Sequence, residues 1–318
     1  MNVYQICLRS NSEITQLPDS QKVFGALIYT LSEKVGEYST TKYVAEVRTG
    51  VQKIALSGVM PEGYLPTPRT FFEGKYNPDS DKETHKTIKK QDYILKEDLF
   101  AILKNGKEIS NTNYVSCSPP YLYQQIRVGI DGDYRSPGLP NNIFSVPKIL
   151  CREFKLEKDP KRVADFCFFV QAEDNSPIIE LLKGLEKSQQ FILGKRSSQG
   201  FNIFSFVECR PYEISNIKSK TFLNTGMLLP RENIELADFN SQNTALTLFT
   251  SERRPFEMGA RWNKSLIKSN YISFIAPGSM IALKTDDMRK QVGRSIGSPF
   301  SERAIIFGNA FLYPVEVA

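Results

Sequence analysis

Histidine is almost absent from this chain: His85 is the only one in 318 residues. A metal centre built from several histidines is therefore excluded, and a nucleophile triad has one candidate base, set in the charged run Lys82–Lys86 that reads as a loop. Cysteine is sparse as well. Cys7, Cys117, Cys151, Cys167 and Cys209 are odd in number, far apart and without a C-x-x-C pair. That spacing argues against a disulfide framework and a zinc knuckle, and suits a reducing cytoplasm. No hydrophobic run approaches a membrane span, and Met1 to Leu8 alternates like a strand instead of carrying the basic start and apolar core of a secretory signal. A cytoplasmic protein with no membrane partner is expected. Charge is biased but not extreme: 41 basic residues against 35 acidic ones give +6, which favours polyanions through local patches and excludes a histone-like tail.

What the chain does have is a glycine-bracketed basic loop, Gly194 to Gly200 (GKRSSQG). It lies between a predicted helix, Ile178 to Lys187, and a predicted strand, Phe201 to Val207. Gly194 and Gly200 can take positive φ and bring backbone N–H groups to a ligand. Lys195 and Arg196 supply positive charge, and Ser197 and Ser198 supply hydrogen bonds. This is phosphate-backbone chemistry. A nucleotide-binding P-loop ends on Gly-Lys-Ser/Thr and opens a helix, whereas here Gly-Lys comes first and a strand follows, which disfavours ATPase chemistry. A helix cap at Gly194 with a solvated hairpin entry is the competing reading.

A second cluster, Arg289 to Gly297, holds Lys290 and Arg294 among glycines and a serine. It can bind an anion or serve as a solvated linker. The run Arg253 to Trp262 sets the sole tryptophan among arginines, suited to a base stack or to a protein neighbour. A glycine- and proline-rich hairpin over 131–145 carries Tyr134, Arg135 and Phe144 and can press between bases of a single strand. Asp131 and Asp133 could share a metal, but their glycine neighbours favour a turn. Asp286 and Asp287 read as a loop face, and Asp19 as a helix cap.

Along the chain, residues 2–9 read as a strand, and Val23, Phe24, Leu27, Ile28 and Leu31 as the apolar face of a helix. Short strands are predicted at Tyr43–Val47 and Ile54–Leu56. An exposed polar insertion is predicted near 72–90, then a helix from Lys96 to Lys104 and a hairpin near 127–149. After the charged linker Glu157 to Arg162, the order strand (Asp165–Gln171), helix (Pro177–Lys187), glycine loop, strand reads as the opening of a second ferredoxin-like unit. Later strands are predicted at Thr244–Phe249, Ile272–Ile275, Met280–Leu283 and Ile305–Pro314. The fold class is α+β. The domains are 1–164, with the insertion and hairpin, and 165–318, with the loop 194–200.

Five segments in order resemble one family: Leu17 to Leu27, Gly63 to Pro68, Arg127 to Asp131 with Asn141 to Phe144, Gly194 to Gly200, and Phe307 to Pro314. The chain is similar to the RAMP superfamily of CRISPR effector subunits, most closely the fourth-subunit family of the type III-A Csm complex. The resemblance implies two RRM-like domains around a cleft, the glycine loop gripping the 5′ handle of the crRNA, and the hairpin acting as a thumb that kinks the guide. It implies an RNA-binding set of Lys22, Arg127, Asn141, Asn142, Phe144, Gly194, Lys195, Arg196, Ser197, Ser198 and Gly200, to which the second glycine and cation cluster adds Lys290 and Arg294. It further implies a non-catalytic subunit with no cofactor and no metal. The partners implied are the large palm-domain subunit, a neighbouring backbone RAMP subunit and, indirectly, target RNA. Two other classes stay open: a metal-dependent endoribonuclease that matures guides, using His85, Asp131 and Asp133, and a purely structural bridge between protein subunits.

Overall fold

The computed structural model describes residues 1–75, 81–117, 124–128, 143–156, 158–194, 197–214, 219–232, 242–253, 270–284, 292–299 and 301–318. β1 (Asn2–Ser10) turns Tyr4, Ile6 and Leu8 to one face and Val3 and Cys7 to the other, as its period of two requires. α1 (Ser20–Val35) packs Val23, Phe24, Leu27 and Leu31 on the first of these faces. Asp19 caps it: its Oδ1 accepts from the Gln21 and Lys22 amides at 3.1 and 3.0 Å, worth about 1 kcal/mol. Gly36, at φ 86°, ends α1.

The next segment departs from the sequence reading. Tyr43–Val47 is not a strand but part of α2 (Glu37–Thr49), which closes at Gly50 with φ 78°. Tyr43, Val44 and Val47 are the buried residues of one helical face, and their β-propensity is overridden by that packing. β2 (Ala55–Leu56) and β3 (Met60–Pro61) follow.

A long insertion then leaves the sheet. It comprises β4 (Tyr64–Pro66), α3 (Arg69–Glu73), α4 (Lys82–Lys90), β5 (Tyr93–Leu95), α5 (Lys96–Asn105), β6 (Tyr114–Cys117), β7 (Gln124–Val128), β8 (Ile143–Pro147), β9 (Cys151–Phe154) and β10 (Lys161–Arg162). Its sheet has the order β10-β9-β6-β5-β4, and β7 pairs antiparallel with β8 beside it. The polar stretch near 72–90 is less exposed than its composition suggests: Phe71, Phe72 and Ile88 are buried, and His85 lies on helix α4 instead of in a loop.

β11 (Asp165–Ala172), α6 (Pro177–Lys183), β12 (Gln190–Ile192) and β13 (Ile203–Pro211) return the chain to the first sheet, whose order is β12-β13-β1-β11-β2, with β3 also on β11. Every neighbouring pair is antiparallel. The series β1-α1-β2-β11-α6-β13 is thus one split β-α-β unit of ferredoxin-like order. The strand-helix-loop-strand run beginning at residue 165 completes the unit that β1 begins. The stretches 1–164 and 165–318 share this sheet, with β1 and β11 in register from Asn2↔Ala172 to Arg9↔Asp165. The charged stretch before it is in part an edge strand, since Lys161 and Arg162 pair with Glu153 and Arg152. Charge on an edge strand is easily read as a linker.

The rest adds β14 (Thr221–Asn224), β15 (Leu248–Arg253), β16 (Asn270–Ile275), β17 (Met280–Ala282), β18 (Ile296–Ser298), β19 (Ser301–Ile306) and β20 (Leu312–Val315). β14 pairs with β17 and β20, and β15–β16 and β18–β19 are two-stranded ribbons. The single strand predicted over Ile305–Pro314 is therefore two.

Both faces of the central sheet are covered. Phe166, Phe168 and Val170 of β11 face the helices. Cys167 and Phe169 face Leu223, Phe311 and Tyr313, the Phe169 ring lying 5.3 Å from that of Phe311. Burial on both sides explains why Phe166–Val170 is continuously apolar. It also removes the open sheet face on which an RRM stacks bases, so any nucleic acid must meet this unit at its loops.

Candidate nucleic-acid interface

The segment that follows β1 draws the glycine loop and the hairpin stem together. Glu13 bridges Phe201 in parallel, and Ile14 bridges Ile149, just after β8, in antiparallel fashion. The Asn202 amide donates to the Glu13 carbonyl at 3.0 Å, and the Ile149 amide to the Ile14 carbonyl at 2.7 Å. Lys148 pairs with Glu13 at 2.6 Å and lies 6.0 Å above the Phe201 ring. Segments distant in sequence thus form one surface through residues 13–15.

Asn202 is the clamp of this arrangement. It is 1% exposed and holds φ 57°, a conformation that asparagine tolerates better than most residues. Its Oδ1 accepts from the Thr15 amide at 2.9 Å, and its Nδ2 donates to Thr15 Oγ1 at 2.8 Å. Gly194, at φ 152°, passes so close that a Cβ there would lie 3.1 Å from Asn202 Nδ2. Ser197–Gln199 form one 3₁₀ turn, closed by the Gly200 amide on the Ser197 carbonyl at 2.8 Å, with Gly200 at φ 81°. Leu193 and Phe201 are buried, whereas Ser198, Gln199 and Gly200 are exposed and Ser197 is half-buried. A buried root at Leu193 and Phe201 beneath exposed Ser198, Gln199 and Gly200 leaves backbone and hydroxyl groups of the loop open to a ligand.

The other expected site residues divide. Lys22 stands at the start of α1, 2.5 Å from the Asp19 carboxylate. It lines a cleft of about 610 Å³ between α1 and the ribbons, walled by Phe24, Met227, Phe249, Ser251 and Phe307. Arg127 on β7 lies opposite Phe144 on β8 in the stem register. Arg294 is not beside the glycine loop; it lines a separate cleft with Arg48 and Arg231. Lys195, Arg196, Asn141, Asn142 and Lys290 lie outside the described residues, as do Asp131 and Asp133. No group of three or more His, Cys, Asp or Glu side chains that could hold a metal occurs among the described residues. No helix among them is long and apolar enough to cross a membrane.

Sequence reasoning missed Asn202, Thr15 and Lys148. The one local signal was an asparagine directly after Gly200-Phe201, where a positive φ favours that residue; the other two are brought in by tertiary pairing alone.

No family model matches the sequence, and no curated protein matches it. Solved structures do match, over essentially the whole chain. One is from the Csm3-Csm4 subcomplex of the type III-A CRISPR-Cas interference complex, with 13% identity, 99% of each chain covered and a TM-score of 0.60. Two are from the Csm1-Csm4 cassette, bound to AMPPNP (16% identity, TM-score 0.54) and to pppApA (15%, 0.53), each covering 100% of this chain and 99% of the other. The chain has the fold of a type III-A Csm-complex subunit. Csm4 is the component that the two assemblies share, and the α+β class expected from the sequence is the class found. At this identity the likeness carries the fold alone; roles of individual residues rest on the geometry above.

Proposed function

We propose that this chain is a Csm4-type subunit of a type III-A CRISPR effector complex, which binds the 5′ handle of the crRNA without cutting it and docks the large palm-domain subunit beside a backbone RAMP subunit. The observation that carries the reading is the meeting of the glycine loop and the β7–β8 stem on residues 13–15, within a Csm-subunit fold. Exposed Ser198, Gln199 and Gly200 face the guide backbone, with Lys195 and Arg196 neutralising phosphates between them and Gly194. The hairpin on the β7–β8 stem is the thumb, and Lys22 borders the adjoining cleft. On this reading β17-β14-β20 is the core of the second RRM-like unit. The ribbon β15–β16 carries Leu248 and Tyr271 exposed on one face, a surface suited to a protein neighbour, while Phe249 on the other face walls the Lys22 cleft.

The test is guide capture by the assembled complex with Lys195→Ala and Arg196→Ala combined. Two lost phosphate contacts reduce the slope of log K against log salt by about 1.4 for a single strand. Unchanged capture with an unchanged slope overturns the reading. Incubation with labelled repeat RNA, with and without divalent metal, addresses the nuclease alternative: site-specific cleavage by the purified chain would displace the non-catalytic assignment.

A further inference from the structure

A second basic cleft lies at the far edge of the central sheet from the glycine loop. The loop follows β12, the first strand in the sheet order; the cleft borders the turn from α2 into β2, the last. Four strand spacings separate these edges, about 19 Å. Arg48, Arg231 and Arg294 line the cleft, which has about 380 Å³ of space, within the range of a small-ligand site. Three separate parts of the chain supply them. Arg48 ends α2, with Nη1 3.7 Å from the point a Cβ on Gly297 would occupy. Arg231 is held by its Nε donating to the Gly293 carbonyl at 3.0 Å, and its Nη2 lies 3.6 Å from the corresponding point on Gly50. Arg294 donates from Nη1 to Glu232, the one carboxylate among the described lining residues.

Two further features point to a ligand. Arg294 Nε and Asn309 Oδ1 are buried polar atoms without a hydrogen-bond partner, and both residues line this cleft. Leaving such atoms unpaired is unfavourable, and a ligand to which the two side chains turn recovers that cost. The two are complementary in kind: Nε is a donor beside guanidinium charge and asks for a phosphate oxygen, whereas Oδ1 is an acceptor and asks for a hydroxyl or amino group. A ribonucleotide backbone offers both, as phosphate and 2′-hydroxyl, within one repeat. An acidic peptide offers carboxylates and backbone N–H groups to the same atoms, so the choice of RNA rests on the guide strand already assigned to the glycine loop. Gly50 lines the cleft without a side chain, and Gly293 and Gly297 adjoin Arg231 and Arg48.

We propose that Arg48, Arg231, Arg294 and Asn309 form a second RNA contact, gripping phosphates and one 2′-hydroxyl of a single strand whose other part lies on the glycine loop. The proposal rests on the reading of the chain as a guide-RNA subunit and extends it to the opposite edge of the sheet.

The experiment measures binding of a labelled single-stranded RNA, and of a DNA of the same sequence, to the full chain between 50 and 200 mM salt. Four proteins are compared: wild type, Arg48→Glu with Arg294→Ala, Asn309→Ala, and Lys195→Ala with Arg196→Ala. Removing two phosphate contacts should shrink the salt-induced loss of affinity by about sevenfold over that range. Asn309→Ala should cut the preference for RNA over DNA by about 2- to 12-fold, the net worth of one hydrogen bond. Arg48→Glu alone, an exposed helix-end substitution, keeps the test valid if the Arg294 variant fails to fold, and should still flatten the slope. If the loop variant weakens binding while the cleft variants retain affinity, slope and RNA preference, the second contact is refuted and the loop reading stands. If the cleft variants lose binding and the loop variant does not, the cleft stands and the loop reading falls. If a labelled acidic peptide binds the wild type and the cleft substitutions abolish that binding while RNA binding stays intact, the proposal is overturned in favour of a protein ligand.

Discussion

Substituting Asn202 tests whether the glycine loop is held ready by the fold or shaped by its ligand. Asn202→Ala removes the acceptor for the Thr15 amide and the donor to Thr15 Oγ1, two hydrogen bonds of 2.9 and 2.8 Å. Each contributes about 0.5–1.5 kcal/mol net, and the Thr15 N–H is left without its acceptor in a partly buried place. Alanine must also hold φ 57°, where a β-carbon costs about 1 kcal/mol. The sum is about 3 kcal/mol, a fall of about 6 °C in melting temperature at about 2 °C per kcal/mol for a chain of this size. Circular dichroism melts read this directly. Asn202→Gly removes the φ cost but not the hydrogen-bond loss, and should recover about a third of the shift. RNA affinity should fall in both variants, because the loop loses the anchor that joins it to residues 13–15. An Asn202→Ala protein that melts within 1 °C of wild type and binds RNA equally would refute the reasoning.

Three further outcomes follow from the same geometry. Gly194→Ala places a Cβ 3.1–3.3 Å from the Asn202 side chain at φ 152°, where an L side chain is strained by about 1–3 kcal/mol, so it should lower both RNA affinity and melting temperature, the latter by about 2–6 °C. Gly226→Ala drives a Cβ to 2.5 Å from the Leu56 carbonyl and 3.1 Å from the Ala310 Cβ, so a loss of about 1–3 kcal/mol or more is expected in denaturant titration. Burial alone would raise the Asp98 carboxyl, but hydrogen bonds from Lys107 and from the Asn113 backbone and side chain hold it below its ordinary value. A lowered folded value means the stabilisation is complete above the unfolded value near pH 4 and is lost as pH falls through the folded one. Unfolding monitored between pH 6 and 2 should therefore show an acid limb that Asp98→Asn lessens; an identical limb in the variant counts against the assignment.

Much of the local structure was legible in the sequence. The alternation of β1, the Asp19 cap with the apolar stripe of α1, the helix at 96–105 and the positive φ of Gly194 and Gly200 all follow from short-range pattern. What was not legible depends on long-range pairing. Nothing local shows that Asp165–Ala172 completes a sheet begun at Asn2, because antiparallel neighbours separated by a long insertion leave no periodic trace. The same limit hid Asn202 and Thr15, and set Arg294 beside Arg48 and Arg231 instead of beside the glycine loop. α2 was misread for a different reason: Tyr43, Val44 and Val47 favour strands by type, and only their packing against the α1 layer selects a helix.

On the proposed function, residues 194–200 hold the leading end of a guide strand. Ultraviolet cross-linking of the assembled complex, carrying its native crRNA, with mass spectrometry of the linked peptides, tests it most directly. Cross-links from handle nucleotides to the peptide spanning Gly194–Gly200, and to the hairpin on the β7–β8 stem, are the expected result. Handle nucleotides linked only to another subunit, with 194–200 unmodified, would contradict the account.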